Sequence, residues 1–272
     1  MTAMTTPAIA CSRMYNLSPK ISGHWDRLFH WLSGQSGVDL EVIPHAAPAP
    51  LSELWARPDM GAVFMCGFPF SGLAADERPV PLAAPVSLAD WASGQPVYAS
   101  HIVAARDRPL AEADLSMVRW GWTVRDSQSG YNAPREFVAE LANGSSVHKT
   151  VGPLLNPRGV VEAIRTGAID VGAIDAYAFQ LMEMHEPEII APLRVVGTTR
   201  PAPFPLLVAA RGQPAEMITA LKGALLTMHQ DPSGRDILGS LGLAAFAEPD
   251  LAAYDQLPAR AQAVDHALGG AW

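Results

Sequence analysis

The stretch Met117–Ala142, "MVRWGWTVRDSQSGYNAPREFVAELA", decides the fold, because it passes from strand to helix through a polar knot. "VRWGWTV" has the aromatic and β-branched content of a strand, and "PREFVAELA" reads as a helix. Between them "RDSQSGYNAP" (Arg125 to Pro134) puts Ser127, Gln128, Ser129 and Gly130 in a row at the predicted helix N-terminus. Free backbone N–H groups and the positive end of the macrodipole point outward there. The hydroxyls of Ser127 and Ser129 add donors, and Gly130 lets a ligand approach the backbone. Two readings stay open. Either a serine simply caps the helix, or the turn holds an anion such as phosphate, phosphonate, sulfate or carboxylate.

Outward from this stretch, short β-like runs alternate with amphipathic helices. "AIACS" reads as a first strand; Ser18-Pro19 caps a helix with Trp25, Leu28, Phe29 and Leu32 on one face. "LEVI" (Leu40–Ile43) and "AVFM" (Ala62–Met65) are further strands, with a short helix at Leu51–Trp55 between them. A second series runs from "VYASHIVAA" (Val97–Ala105) through "HKTV", the helix "RGVVEAIRTG" and the strand "DVGAI" (Asp170–Ile174). A helix at Ala176–His185, the strands "LRVVGTT" and "FPLLVAA", and a helical tail complete the chain. Proline-rich segments at Pro44–Pro50, Pro79–Pro85 and Pro201–Pro205 read as connectors. The alternation predicts an α/β fold with mainly parallel sheets, in two units of about 100 residues each.

Composition narrows the function. With 49% hydrophobic and 17% charged residues in 272, the chain has enough apolar content for two cores. A net charge of −8 argues against a nucleic-acid partner but leaves room for a local anion site. No apolar run approaches the roughly 20 residues of a membrane span, so no membrane insertion is expected. The start "MTAMTTPAIACSRMY" has no basic n-region and does not read as a secretory signal. Cys11 and Cys66 suit neither a disulfide framework nor a metal site and read as small core residues. Nucleophile-elbow, zincin, Walker and dinucleotide motifs are absent, the eight histidines are scattered, and no cofactor or metal is expected. In open α/β sheets, ligands bind beyond the carboxyl ends of the strands. That rule adds three segments to the candidate site: Tyr98 with Ser100, then Cys66, Gly67 and Phe68 in a Cys-Gly-Phe-Pro turn, then Asp175 with Tyr177.

The order "PVYASHIV", an acidic residue before "S-x-S-G-Y", and "AIRTGAIDVGAID" resembles the phosphate/phosphite/phosphonate-type substrate-binding proteins of ABC transporters. The resemblance spans about Gly61–Ile174 and implies the two-lobed type 2 periplasmic-binding-protein architecture. Each lobe would be a sheet flanked by helices, residues 1–100 with 203–272 in one and 101–202 in the other. Two crossing strands would join them, with a ligand cleft between. It further implies a small anionic ligand, a permease partner and a periplasmic location. It assigns hydrogen bonds to that ligand to Ser127, Gln128 and Ser129, and cleft positions to Tyr98, Cys66–Phe68, Asp175 and Tyr15. Where the family carries S-T-S this chain has Ser127-Gln128-Ser129, and the family's Gly-His pair gives way to Pro157 with Arg158 beside it. A guanidinium at 158 suits a two-pronged grip on a carboxylate or phosphate. Met65 and Phe68 make a more apolar wall, so a small carboxylate or aromatic acid joins phosphonate among the expected ligands. A different class stays open as well: a cytoplasmic enzyme on the same fold acting on a small carboxylate. It would take its base from Asp175, Cys66 or Asp126.

Overall fold

The computed structural model describes residues 7–110, 115, 117–141, 149–270 and 272. The first six residues, the end of the predicted helix at Ala142 and the start of "HKTV" at His148 lie outside these. In chain order, β1 (Ala8–Cys11), α1 (Pro19–Ser36), β2 (Leu40–Val42), α2 (Leu51–Trp55), β3 (Met60–Met65) and α3 (Gly67–Gly72) come first. Next are β4 (Val80–Ser87), β5 (Val97–Tyr98), β6 (Ser100–Ala105), β7 (Trp120–Gly121), α4 (Ala133–Leu141) and β8 (Thr150–Val151). Then follow α5 (Pro157–Arg165), β9 (Val171–Asp175), α6 (Ala176–His185), α7 (Pro187–Ile190), β10 (Leu193–Thr198) and β11 (Ala202–Pro203). The chain closes with β12 (Leu206–Ala209), α8 (Ala215–Thr227), α9 (Pro232–Ser240), β13 (Leu243–Ala247), α10 (Leu251–Asp255) and α11 (Leu257–Leu268).

Two compact units emerge. The first holds Met1–Met65, Leu73–Pro96 and Phe204–Pro249; the second holds Cys66–Gly72, Val97–Pro203 and Asp250–Trp272. The first unit's sheet has the order β13-β4-β12-β3-β1-β2. Its α1 begins as the sequence predicts: Pro19 takes the first turn and the Ser18 hydroxyl accepts from Ile21 N at 3.3 Å. Ile21, Trp25, Leu28, Phe29 and Leu32 form the buried face. The second unit's sheet has the order β10-β6-β9-β7-β8, with β5 and β11 paired separately. Its core is Ile102, Ala104, Leu115, Trp120, Val138, Val171 and Ala173, so α4 lies on the sheet.

Both sheets are mixed rather than mainly parallel. In the first, β1 pairs in parallel with β2 and β3, while β12 runs antiparallel to β3 and β4. In the second, β6 runs antiparallel to both β10 and β9, and β7 is parallel to β9 and β8. Two of the reversed strands, β6 and β12, follow shortly after the chain passes from one unit to the other, at 96/97 and 203/204; a third, β13, runs antiparallel to β4 at the sheet edge.

Three more expectations change. Pro79–Pro85 is no connector, since β4 runs through it between β12 and β13. Pro81 stands opposite Val208, where the pairing with β12 shifts register, the kind of irregularity that accommodates a missing N–H. Cys66–Pro69 is not a turn, because α3 starts at Gly67. The tail Asp250–Trp272 goes with the second unit, not with Phe204–Pro249. Tyr254 packs edge-on against Phe70, and Arg260 donates to Glu136 of α4 at 2.6 Å.

Candidate functional site

The polar knot folds as one wide helical turn, Gln128–Asn132, that runs into α4. Asn132 N donates to Ser127 O at 3.0 Å, an i→i+5 bond of the kind found as single turns at functional sites. Ser127 has extended backbone, and its hydroxyl accepts from Gly130 N at 2.9 Å. It therefore caps the helix. Gly130 has a different cause from the one the sequence suggests. A Cβ there would sit 2.0 Å from Thr123 Oγ1, and Thr123 N donates to Gly130 O at 3.1 Å. The glycine makes room for Thr123, in the bend just after β7 rather than in the longer strand the sequence suggests.

Other predicted residues gather round this turn within the second unit. Ser100, at the start of β6, donates its hydroxyl to Ser129 O at 2.9 Å. Ser100 stands opposite Asp175 in the β6–β9 register. Asp175 Oδ1 accepts from Tyr177 N at 2.8 Å and Ala178 N at 3.1 Å, which makes the carboxylate the N-cap of α6. Gln128 N donates to Cys66 Sγ at 3.5 Å. Burial pushes the Cys66 thiol up to about 11, with the Gln128 and Phe68 amides pulling the other way. Burial also holds the Tyr98 phenol well above its ordinary value, with Cys66 and Asp175 adding to the effect and the Ser129 side chain opposing it. Gln128 is 3% exposed, and its Oε1 has no hydrogen-bond partner among the described residues. A buried acceptor left without a donor is costly.

The remaining predicted residues stand elsewhere. Tyr15 belongs to the first unit, buried among Trp25, Phe64 and Phe204, with the Phe64 ring centroid 5.2 Å away. Arg158 lies in the first turn of α5, 42% exposed, and pairs with Glu186 at 2.9 Å. Gly67 opens α3 against Tyr254, whose Cδ1 would be 3.0 Å from an added Cβ. Phe68 is half-buried, and its carbonyl accepts from the Ser71 hydroxyl at 3.0 Å. Sequence reasoning missed Thr123, Asn132 and Arg125. The Arg125 guanidinium lies 5.1 Å from the Trp122 ring centroid and 5.6 Å from that of Tyr131, and donates to the Tyr131 hydroxyl at 2.9 Å. The alternation of Trp122, Arg125 and Tyr131 around the turn is the signal that was available. Among the described residues no group of three or more His, Cys, Asp or Glu side chains could hold a metal ion.

The family model described as ABC transporter, phosphonate, periplasmic substrate-binding protein matches residues 15–254. The chain belongs to this family. Members are substrate-binding components of ABC transporters, and the solved structures similar to this one show the same two-sheet type 2 periplasmic-binding-protein fold. One is the binding protein component of an ABC phosphonate transporter from Pseudomonas aeruginosa. It is 18% identical with a TM-score of 0.72, over 97% of this chain and 96% of that one. PhnD1 from Prochlorococcus marinus, solved with methylphosphonate, is 16% identical with a TM-score of 0.71, over 95% of this chain and 98% of that one. R. palustris Rpa4515, solved with adipate, is 12% identical with a TM-score of 0.66, over 99% of each chain. No curated protein matches by sequence. Among the described residues no helix is long and apolar enough to cross a membrane.

Proposed function

We propose that this substrate-binding protein captures a small anionic ligand, a phosphonate, phosphate, phosphite or small carboxylate, at the Ser127–Gly130 turn and delivers it to an ABC permease. What carries the reading is the turn itself. It opens α4, at a helix end where the first amides have no intrahelical carbonyl in reach. It also sits beside buried Tyr98, Cys66 and Asp175 in a member of the phosphonate-binding family. Helix N-terminal amides favour an anion through both hydrogen bonds and the macrodipole. The role is binding, with no catalytic residue, and the place of work is the periplasm. Asp175, one of the three candidates for a general base, caps α6 through Oδ1, which disfavours the enzyme alternative.

Thermal unfolding with phosphate, methylphosphonate, propionate and adipate tests the proposal. A ligand at 100 times its Kd stabilises by about 2.7 kcal/mol. Replacing both Ser127 and Ser129 with alanine removes two hydroxyl donors and leaves the backbone amides, so it should reduce that shift. The proposal is lost if no anion raises the melting temperature, or if the doubly substituted protein responds like the parent.

A further inference from the structure

We infer that Arg13, in the first unit, is an anion-binding residue that grips a carboxylate end-on through its two Nη groups. The inference stands on observations of the first unit alone, whereas the serine turn belongs to the second.

Topology places the residue. β1 lies between β2 and β3, parallel to both. The chain leaves β1 through α1 for β2 on one side, then passes through α2 to β3 on the other. The carboxyl ends of β1 and β3 are therefore a topological switch point, where open α/β sheets hold ligands. Arg13 stands there, two residues beyond the end of β1 at Cys11, in the single turn Arg13–Tyr15. Its backbone is fixed by the flanks of that turn. Tyr15 N donates to Ser12 O at 2.7 Å, and the Ser12 hydroxyl donates to Asn16 Oδ1 at 2.5 Å.

Charge then singles it out. The Arg13 side chain is half-buried and has neither a hydrogen bond nor an ion pair among the described residues. Every other arginine except the exposed Arg27 has an acceptor there. Some have carboxylates, as Arg57 has Asp59 and Arg158 has Glu186. Others have backbone carbonyls, as do Arg78, Arg106 and Arg211. The titratable group that acts on Arg13 is the Cys11 thiol, which burial pushes up to about 11 and so leaves uncharged at neutral pH. Burial draws the Arg13 pKa down, with only that sulfur opposing. A partly desolvated cation without a counter-ion is costly, and a bound anion removes the cost.

The way the guanidinium is wedged sets the class of anion. Its Nε is sealed from solvent with no acceptor, while the two Nη groups are not sealed. They form the accessible edge of a planar fork, and their N–H groups match the two oxygens of a carboxylate.

Arginine side-chain and backbone amide NMR, with propionate, adipate and methylphosphonate as probes, tests this. The sealed Arg13 Nε–H should give a slowly exchanging signal, identified by its loss in Arg13→Gln. Propionate and adipate should each move that signal to saturation. Affinity is read in every variant from the backbone amides of residues 12–16. Arg13→Gln should weaken the carboxylates by about tenfold or more, the factor for a hydrogen bond to a charged group. Arg13→Lys keeps the charge, loses the fork and should still bind more weakly than the parent. Arg27→Gln removes the same charge from an exposed position and should change affinity by less than about twofold. The inference is overturned if neither carboxylate moves the Arg13 signal, or if methylphosphonate alone does. It is equally overturned if Arg27→Gln weakens binding as much as Arg13→Gln, since overall charge rather than contact would then be at work. Should Arg13→Gln fail to fold, Arg13→Lys assigns the signal and the titration of the parent decides. None of these outcomes touches the thermal test of the serine turn, whose residues all stay in place.

Discussion

Tyr15 in the first unit and Tyr98 in the second are equally buried and kept by different means. Around Tyr15 the company is other rings: Trp25 stacked at 6.0 Å, Phe64 edge-on at 5.2 Å and Phe204 at 6.2 Å. Around Tyr98 are a thiol, a capping carboxylate and the serine of a helix-opening turn. The first arrangement is held by apolar burial and by ring geometry, which adds to burial energy. The second is held by polar groups whose hydrogen bonds are fixed in direction, and such groups can recognise a ligand. A buried tyrosine therefore carries no function by type. Its neighbours decide.

The largest expected effect tests the apolar side of this contrast. Trp25→Ala empties the centre of the first unit's ring cluster and should cost about 3–5 kcal/mol of stability. Denaturant unfolding should show the same loss at pH 7 and pH 4.5, because no titrating group is removed. A loss below about 1 kcal/mol would mean that the cluster does not hold that unit together.

Asp170 supplies the polar counterpart. It stands just before β9, where Arg119 donates to it from N and Nη2, both at 2.8 Å, and Arg108 pairs with it as well. Hydrogen bonds from Arg119 hold its carboxyl well below the usual range, so the folded protein stays charged at pH values where the unfolded chain takes up a proton. The stabilisation is thus complete above the ordinary carboxylate pKa and is lost as pH falls from about 4 toward the folded value. Asp170→Asn should cost about 1.5 kcal/mol at neutral pH, a modest figure because both arginines are partly exposed. The difference between variant and parent should shrink at pH 3. A difference that stays constant with pH would show that the ion pairs do not contribute.

The smallest effect separates capping from recognition. Ser127→Ala removes the hydroxyl that accepts from Gly130 N and should destabilise by about 1 kcal/mol. If Ser127 is also a ligand donor, anion affinity should fall further than the change in stability explains. An unchanged affinity leaves it a cap only.

Much of this was legible locally. Ser18-Pro19 announces α1, and Trp25, Leu28, Phe29 and Leu32 mark its buried face, because capping and helical spacing are short-range properties. The helix Ala176–His185 and the strand at Asp170–Ile174 lie where the pattern puts them, the strand displaced by a single residue. Less legible was β4, whose two prolines look like a connector until the register shift opposite Pro81 is seen. The antiparallel placement of β6 and β12 also escaped, because strand direction depends on how the chain re-enters a sheet.

By itself the sequence determined the alternation of strands and helices and the order of motifs that marks the family. It also determined the position of a serine-rich turn at the start of a helix. Only the tertiary structure decided what that turn touches. Cys66 reaches Gln128 across 62 residues, Ser100 reaches Ser129 across 29, and Thr123 occupies the space that makes residue 130 a glycine. The physical reason is one of range. Caps and periodicities arise within a turn or two of chain, whereas the contact of Gln128 N with the Cys66 thiol exists only once distant segments have packed together.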